Sequence, residues 1–370
     1  MMKNLDEAVA CYNAGRLHEA ESLTREFLAE QPDDPVGLHL LGTLCLADGR
    51  IEEAHEFFER AIHKNNQHPD IHNSLGTIYR NKAMLDKAID HFDMAIQSWL
   101  TYPSAHANLN AALAKRGKAD DRFLVSIITP TMGTEDVARA IESVQAQTYP
   151  NIEHLVVADG PNGEQAVRKS IPQDPQHPVH LLTLPYNTGA DGFNGHRIYG
   201  AMTHLVHGRY VCFLDEDNWF DPNHISSMME MLTARGLQWV YALRKIFEGD
   251  GPIIGRDDCQ SLGRWATWYD PAVHLVDVNC YLVRHDIALA LNTLWHRRSI
   301  PELREGPDFQ LCKNLMAKYP DFDTSGLYTV NYKVGNTDIS ATEEFFVEGN
   351  EVMRQRHPDG YPWARGVAEE

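Results

Sequence analysis

Hydrophobic and small positions return with a fixed step along the first third of the chain. Pro35, Pro69 and Pro103 lie 34 residues apart, Ala20, Ala54 and Ala88 keep the same spacing, and so do Leu17, Ile51 and Leu85. Leu41-Gly42 recurs as Leu75-Gly76. Such a period marks an internal repeat whose units stack on their neighbours. Each proline then falls at the start of the next unit, where a missing N–H costs little. About three units are expected over residues 1–117, the first with a short leading helix. Ser104–Arg116 reads as a closing helix over the last apolar face. Gly117-Lys118-Ala119-Asp120-Asp121 breaks the pattern, and residues 118–123 read as a linker.

Beyond the linker the period changes. Phe123–Thr129 is a compact apolar run rich in β-branched residues, ended by Pro130, and predicts a buried strand. Val137, Ile141 and Val144 follow at helical spacing. Ile152–Ala158 and Val179–Leu184 read as the second and third strands, Gly195–Val206 as a helix, and Tyr210–Leu214 as a fourth strand. Alternating strands and helices predict a mostly parallel sheet covered on both faces, with ligands at the carboxyl ends of its strands. Those ends carry Thr129-Pro130-Thr131, Asp159-Gly160 and Asp215-Glu216-Asp217. Three adjacent carboxylates repel one another, and apolar packing does not select them. A divalent cation relieves the repulsion and takes hard oxygen ligands; a solvated acidic turn is the plain alternative. No G-x-G-x-x-G follows the first strand and no G-x-x-x-x-G-K-[ST] occurs, which argues against dinucleotide oxidoreductases and P-loop enzymes.

Composition narrows the field further. The 370 residues carry 33 Lys and Arg against 52 Asp and Glu, a net charge of −19. That excludes the basic footprint of a generic nucleic-acid binder and disfavours an anionic membrane surface. No apolar run approaches the ~20 residues needed to span a bilayer, and the first residues lack a signal-peptide apolar stretch, so a cytoplasmic protein without a transmembrane segment is expected. The six cysteines show no metal spacing and read as reduced, buried thiols.

The 34-residue period resembles the tetratricopeptide repeat (TPR) over about Met1–Gly117, which implies units of two antiparallel helices with the small residues at helix crossings. VSIITPTM at Val125–Met132, SVQAQTYPNIEHLVVADG at Ser143–Gly160, NTG at Asn187–Gly189 and GRYVCFLDEDNWFDP at Gly208–Pro222 resemble a family-2 glycosyltransferase of the GT-A fold, most firmly over the first hundred residues of Leu124–Tyr332. The resemblances imply an α-helical TPR solenoid followed, at 124–370, by an α/β GT-A domain, Rossmann-like with a mostly parallel sheet. They imply an inverting, metal-dependent transfer from a nucleotide-sugar, best a UDP-sugar, to a glycan, lipid-linked or protein acceptor of the kind found in bacterial surface polysaccharides. The repeats would serve homo-oligomerisation or acceptor docking. A repeat-bearing assembly protein with a degenerate, non-catalytic transferase domain is the alternative.

The same resemblance assigns roles residue by residue. Asp217 would ligate Mn²⁺ or Mg²⁺ against the donor diphosphate, with Asp215 on the ribose or a metal-bound water and Glu216 facing away. Thr129, Pro130, Thr131 and Asp159 would form the base-and-ribose pocket, Asp159 accepting from a uracil N3–H. Arg197, in the Gly-rich segment Asn187–Ala201, offers a planar fork for diphosphate. Asp308 is the expected general base and Glu305 the second choice; helix capping is the plain reading of Asp308. His357 in the tail is a weaker candidate for the metal, and Trp219, Trp265 and Trp268 could stack on sugars or fill a core.

Overall fold

The computed structural model describes residues 5–64, 68–98, 102–116, 122–297, 306–335 and 341–364. The chain divides into two compact units, with the main boundary after Gly117. The linker residues 117–121 lie outside the described residues.

The first unit is all helical: α1 (Leu5–Asn13), α2 (Leu17–Glu30), α3 (Pro35–Ala47), α4 (Ile51–Lys64), α5 (Pro69–Asn81), α6 (Leu85–Ser98) and α7 (Pro103–Arg116). The period is visible in its contacts. Ala8, Ala20, Ala54, Ala61, Ala88 and Ala95 are fully buried where helices cross. A Cβ on Gly42 would come within 2.7 Å of the Phe58 ring, and one on Gly76 within 2.5 Å of Phe92, so each glycine seats the phenylalanine of the next helix. The turn inside each pair needs a left-handed residue: Gly15 has φ +73°, Gly49 +78° and Ala83 +57°. Asp34 caps α3 by accepting from the Gly37 N–H at 2.8 Å, with Pro35 in the first turn.

The second unit wraps a nine-stranded sheet. Its strands are β1 (Val125–Thr131), β2 (Ile152–Ala158), β3 (Val179–Thr183), β4 (Tyr210–Phe213), β5 (Trp219–Phe220), β6 (Trp239–Glu248), β7 (Ile253–Arg256), β8 (Tyr281–Arg284) and β9 (Phe322–Val334). The helices are α8 (Val137–Gln145), α9 (Glu164–Ser170), α10 (His196–Met202), α11 (His224–Arg235), α12 (His285–Leu291), α13 (Pro307–Lys318) and α14 (Glu343–Arg356). The order is β3-β2-β1-β4-β8-β6-β9-β5, with β7 also on β6. The half built from β1 to β4 is parallel, as the alternating pattern predicts. Beyond β4 the expectation of a mostly parallel sheet gives way to a mixed one: β8 runs antiparallel to β4 and β6, while β6 and β9 pair in parallel.

Pro130 does not end β1 but sits inside it, opposite Val157. Its absent N–H is tolerated because the pairing of β1 with β4 stops at Ile128 and Phe213. Past that point β1 and β4 no longer pair, and the cavity described below lies at their ends. All six cysteines are buried and free. Among the described residues, no helix is long and apolar enough to cross a membrane.

Candidate active site

A cavity of about 600 Å³ opens at the carboxyl ends of β1, β2 and β4. Four structural devices set its walls. The first is Glu216. Its carboxylate accepts from the Thr131 hydroxyl at 2.5 Å, the Met132 N–H at 3.0 Å, and the Thr134 N–H and hydroxyl at 3.1 and 2.8 Å. The middle acid of the triplet therefore fixes the loop leaving β1. The second is Asp159, which accepts from the Thr188 N–H at 2.6 Å, the Thr188 hydroxyl at 2.9 Å and the Gly189 N–H at 2.9 Å. This ties the Gly-rich segment to the end of β2. Gly189 is required there: a Cβ would lie 2.3 Å from the Asn194 carbonyl.

The third device holds Asp215. Tyr199 from α10 donates to its Oδ1 at 2.6 Å, and Asn279 donates to its Oδ2 at 2.9 Å while accepting from its backbone N–H at 2.6 Å. Asn279 is held in turn by Asp277, whose Oδ1 accepts from the Asn279 N–H and side-chain amide at 3.0 and 2.8 Å. Behind both lies Arg244, a buried guanidinium in β6. It donates to Asp277 at 2.6 Å, Asp257 at 2.7 Å and Gln260 at 2.7 Å, with its plane 4.2 Å from the Tyr332 ring. Burial pushes the Asp215 carboxyl up to about 7, helped by the charges of Asp217 and Asp277 and opposed by the hydrogen bonds from Tyr199 and Asn279.

The fourth is Asp308. Gly306 enters α13 in an extended conformation and Pro307 occupies the first turn. No side-chain cap bond forms at this helix. Asp308 Oδ1 is instead buried without a hydrogen-bond partner and faces His196 Nε2 at 3.9 Å. Its carboxyl is pushed well above the usual range, by burial first and then by Asp277 and Asp215, with Arg244 opposing. His196 lies against Trp295, ring planes 25° apart, and burial pushes it down to about 4, so it is neutral near pH 7.

The electrostatic balance of the cavity is negative. Asp159, Asp215, Glu216, Asp217, Asp277 and Asp308 line it, against Arg244 and Lys333. Arg244 is committed to Asp257 and Asp277, and Lys333 to Asp136 at 2.9 Å. Among the described residues, no three side chains of ligand type converge on one point as a complete metal cage.

Residues 126–280 match the family model "Glycosyl transferase family 2", and residues 12–78 match a tetratricopeptide repeat. The chain carries a family-2 glycosyltransferase domain behind tetratricopeptide repeats. Its curated relatives include the UDP-Glc:alpha-D-GlcNAc-diphosphoundecaprenol beta-1,3-glucosyltransferase WfgD of Escherichia coli, 29% identical over 137 residues, which are 37% of this chain and 51% of WfgD. They also include the putative teichuronic acid biosynthesis glycosyltransferase TuaG of Bacillus subtilis (strain 168), 25% identical over 226 residues, 60% of this chain and 82% of TuaG. The chain thus spans about half the length of WfgD. Among solved structures, S. aureus TarS 1-349 in complex with UDP-GlcNAc aligns at a TM-score of 0.44 and 17% identity, covering 63% of this chain and 65% of TarS. The protein MamA aligns at 0.29 and 20%, covering 30% and 62%.

Of the residues singled out from sequence, Pro130, Thr131, Asp159, Asp215, Glu216, Asp217 and Asp308 all line this same cavity. Others are placed elsewhere. Thr129 points into the sheet, its hydroxyl 2.8 Å from His154 Nε2. Arg197 does not face the cavity: its guanidinium lies 3.3 Å over the Phe193 ring and donates to the Thr188 carbonyl at 3.2 Å, bracing the Gly-rich segment. Asp159 and Glu216 spend their acceptors on loops, as described, rather than on open space. His357 packs edge-on against Trp363, away from the cavity. Trp219 lies under Arg139, and Trp265 and Trp268 pack on Trp363 and Phe345. Glu305 lies outside the described residues.

The lining residues Arg244, Gln260, Asp277, Tyr332 and Lys333 carry no local motif. One signal does point to Arg244: Arg244 and Lys245 interrupt the apolar run Trp239–Phe247, and because successive strand residues face opposite ways, one of the two cations enters the core and demands buried partners. Asp257 and Asp277 are nearby acids that could supply them.

Proposed function

We propose that the chain is a metal-dependent inverting glycosyltransferase that moves a sugar from a nucleoside diphosphate to a hydroxyl of a lipid-linked or polysaccharide acceptor. One observation carries the reading. A buried carboxylate oxygen without a partner, Asp308 Oδ1, stands on the same cavity wall system as the strand-terminal Asp215 and Asp217. An unpartnered buried acceptor costs about 1–3 kcal/mol and is retained where a ligand completes it.

The cavity residues fit a divalent cation. Its carboxylates outnumber its cations, both of which are already engaged, so a diphosphate would meet repulsion without added positive charge. Mg²⁺ and Mn²⁺ are commonly held by one or two carboxylates plus phosphate oxygens, which suits Asp217 with the donor itself supplying further ligands. The cation would offset charge on the departing diphosphate. Asp215, pinned by Tyr199 and Asn279, sets the position of Asp217 two residues on. Asp308 takes the proton of the acceptor hydroxyl. The acceptor oxygen forms its bond to the sugar C1 as the bond from C1 to the phosphate oxygen breaks, and that electron pair leaves with the nucleoside diphosphate. A uridine donor is favoured by the name of the relative WfgD. Work from the cytoplasmic side and a repeat domain used for acceptor docking or self-association complete the proposal.

The test is release of nucleoside diphosphate from a panel of UDP-, dTDP- and GDP-sugars with and without Mn²⁺. Asp217→Ala should lose turnover and Mn²⁺-dependent nucleotide affinity together. Asp308→Asn should keep nucleotide affinity and lose turnover by at least 100-fold. Full turnover in chelator, or in both variants, overturns the proposal; nucleotide binding with no turnover in wild type returns the assembly-protein alternative.

A further inference from the structure

His196 has no part in the reading above, yet it shares Asp308's situation. Its side chain is nearly buried, with 11% of its surface accessible, and it lines the same cavity. Its Nδ1 is buried with no hydrogen-bond partner, and its Nε2 stands 3.9 Å from the unpartnered Asp308 Oδ1. His196 Nε2 and the orphaned Asp308 Oδ1 therefore face one another across a gap too wide for a direct hydrogen bond. Trp295 stacked on the ring fixes its plane, and Tyr199, three residues along the same helix, packs on the same tryptophan.

The tautomer follows from what each nitrogen meets. A buried N–H without an acceptor is the rarer and costlier orphan, so the proton belongs on Nε2, which looks toward a carboxylate, and Nδ1 is left bare. Burial favours the neutral ring, which then offers one donor beside one acceptor oxygen. An oxygen about 2.8 Å from both atoms would bridge the gap with an included angle of roughly 90°, which a hydroxyl tolerates because it donates and accepts in different directions.

We propose that His196 Nε2–H and Asp308 Oδ1 together seat the attacking hydroxyl of the acceptor, the histidine donating to one lone pair while the carboxylate accepts the proton. This rests on the transferase reading and adds a substrate-contacting residue to it. The second lone pair stays free to form the bond to C1, and the proton leaves to Asp308. Water in the same seat supports slow donor hydrolysis.

The contrast that tests it is His196→Gln against His196→Asn. Glutamine carries an amide N–H out to the Nε2 position; asparagine is polar and similar in burial but falls short. With the wild-type chain, Mn²⁺ and the same panel of nucleotide-sugars, hydrolysis by water is followed as diphosphate release, and UDP affinity is measured by calorimetry. His196→Gln should retain turnover within about threefold of wild type, whereas His196→Asn and His196→Leu should fall tenfold or more, with UDP affinity unchanged within twofold in all three. Equal turnover in Gln and Asn variants overturns the hydroxyl seat. So does a loss that tracks weakened UDP binding, which would put His196 on the donor. A wild-type chain that releases no diphosphate from any donor refutes the transferase reading itself, and the seat with it.

Discussion

Arg244→Met removes a guanidinium that is 2% accessible and joins two acids, Asp257 and Asp277, at 2.7 and 2.6 Å. The methionine fills much of the volume and keeps the apolar contact with Tyr332, so the change is mainly one of charge. Its cost is not shared equally. Asp257 retains the backbone N–H groups of Cys259, Gln260 and Ser261 at 3.1, 2.8 and 3.0 Å, so its charge stays well solvated by the protein. Asp277 retains only the two donors of Asn279 beside the negative cavity. Breaking a buried pair from one side costs about 3–5 kcal/mol, and about 4 kcal/mol is expected here, a large share of the about 5–15 kcal/mol that holds a domain together. Six of the seven tryptophans lie beyond residue 200, so urea unfolding followed by tryptophan fluorescence reports mainly on the transferase unit. With a slope of about 2–3 kcal/mol per M, the midpoint should fall by roughly 1.5 M. Adding Asp277→Asn removes the stranded charge, keeps an acceptor for Asn279, and should restore about half the loss. A single variant less than about 1 kcal/mol destabilised, or a double variant weaker than the single, would refute the argument that Asp277 is held in place by Arg244.

Three further outcomes follow from other parts of the molecule. Ala83 holds the left-handed turn that Gly15 and Gly49 hold in the earlier units; Ala83→Gly should stabilise by about 0.5–1 kcal/mol and Gly49→Ala, which meets no atom within 4 Å, should destabilise by about 1 kcal/mol in thermal unfolding followed by circular dichroism. His154 is buried with its ring pushed down to about 3. Its contribution is present above the unfolded value near 6.5 and is lost as pH falls toward 3, amounting to about 3 kcal/mol by pH 4.5; His154→Gln should flatten that part of the pH–stability curve. Asp308 must be ionised to accept a proton and its carboxyl is raised by burial, so turnover should be present above that raised value and fade as pH falls through it. A pH–rate profile with no acid limb speaks against Asp308 as the base.

The sequence made the repeats and the parallel half of the sheet legible because both are local. The 34-residue step marks the starts of α3, α5 and α7 through their prolines, and Ile152–Ala158 coincides with β2 to the residue. The rest depends on pairing between distant segments. β6 and β9 carry no alternation that announces a parallel pair, and Pro130 looks like a strand end until the early stop of β4 shows why it is not one. The site divides in the same way. Asp215, Glu216 and Asp217 stand out as adjacent acids at a strand end, but nothing local says that Glu216 clamps a loop or that Asp159 closes on Thr188 and Gly189. Arg197 is in the right segment and faces the wrong way, because Phe193 offers a surface for its guanidinium. Asn279 joins the site by bonding Asp215, 64 residues away in sequence, and Asp277 by bonding both Asn279 and Arg244.

The parallel pairing of β6 with β9 also has a consequence for synthesis. Trp239 pairs with Phe322, 83 residues later, while the helical unit is complete before β1 is translated. At about 5–20 residues per second, β6 leaves the ribosome roughly 4–17 s before its partner exists. During that interval its apolar run Trp239–Leu243 has one ladder edge unsatisfied, an open template for other nascent chains. Ribosome-bound chains ending near residue 310 should therefore be cleaved by protease within β6 while the repeats are protected, and chains long enough to display β9 should not. The step that commits the transferase unit is thus placed late in translation by the topology of its sheet, whereas the repeats can finish folding on the ribosome.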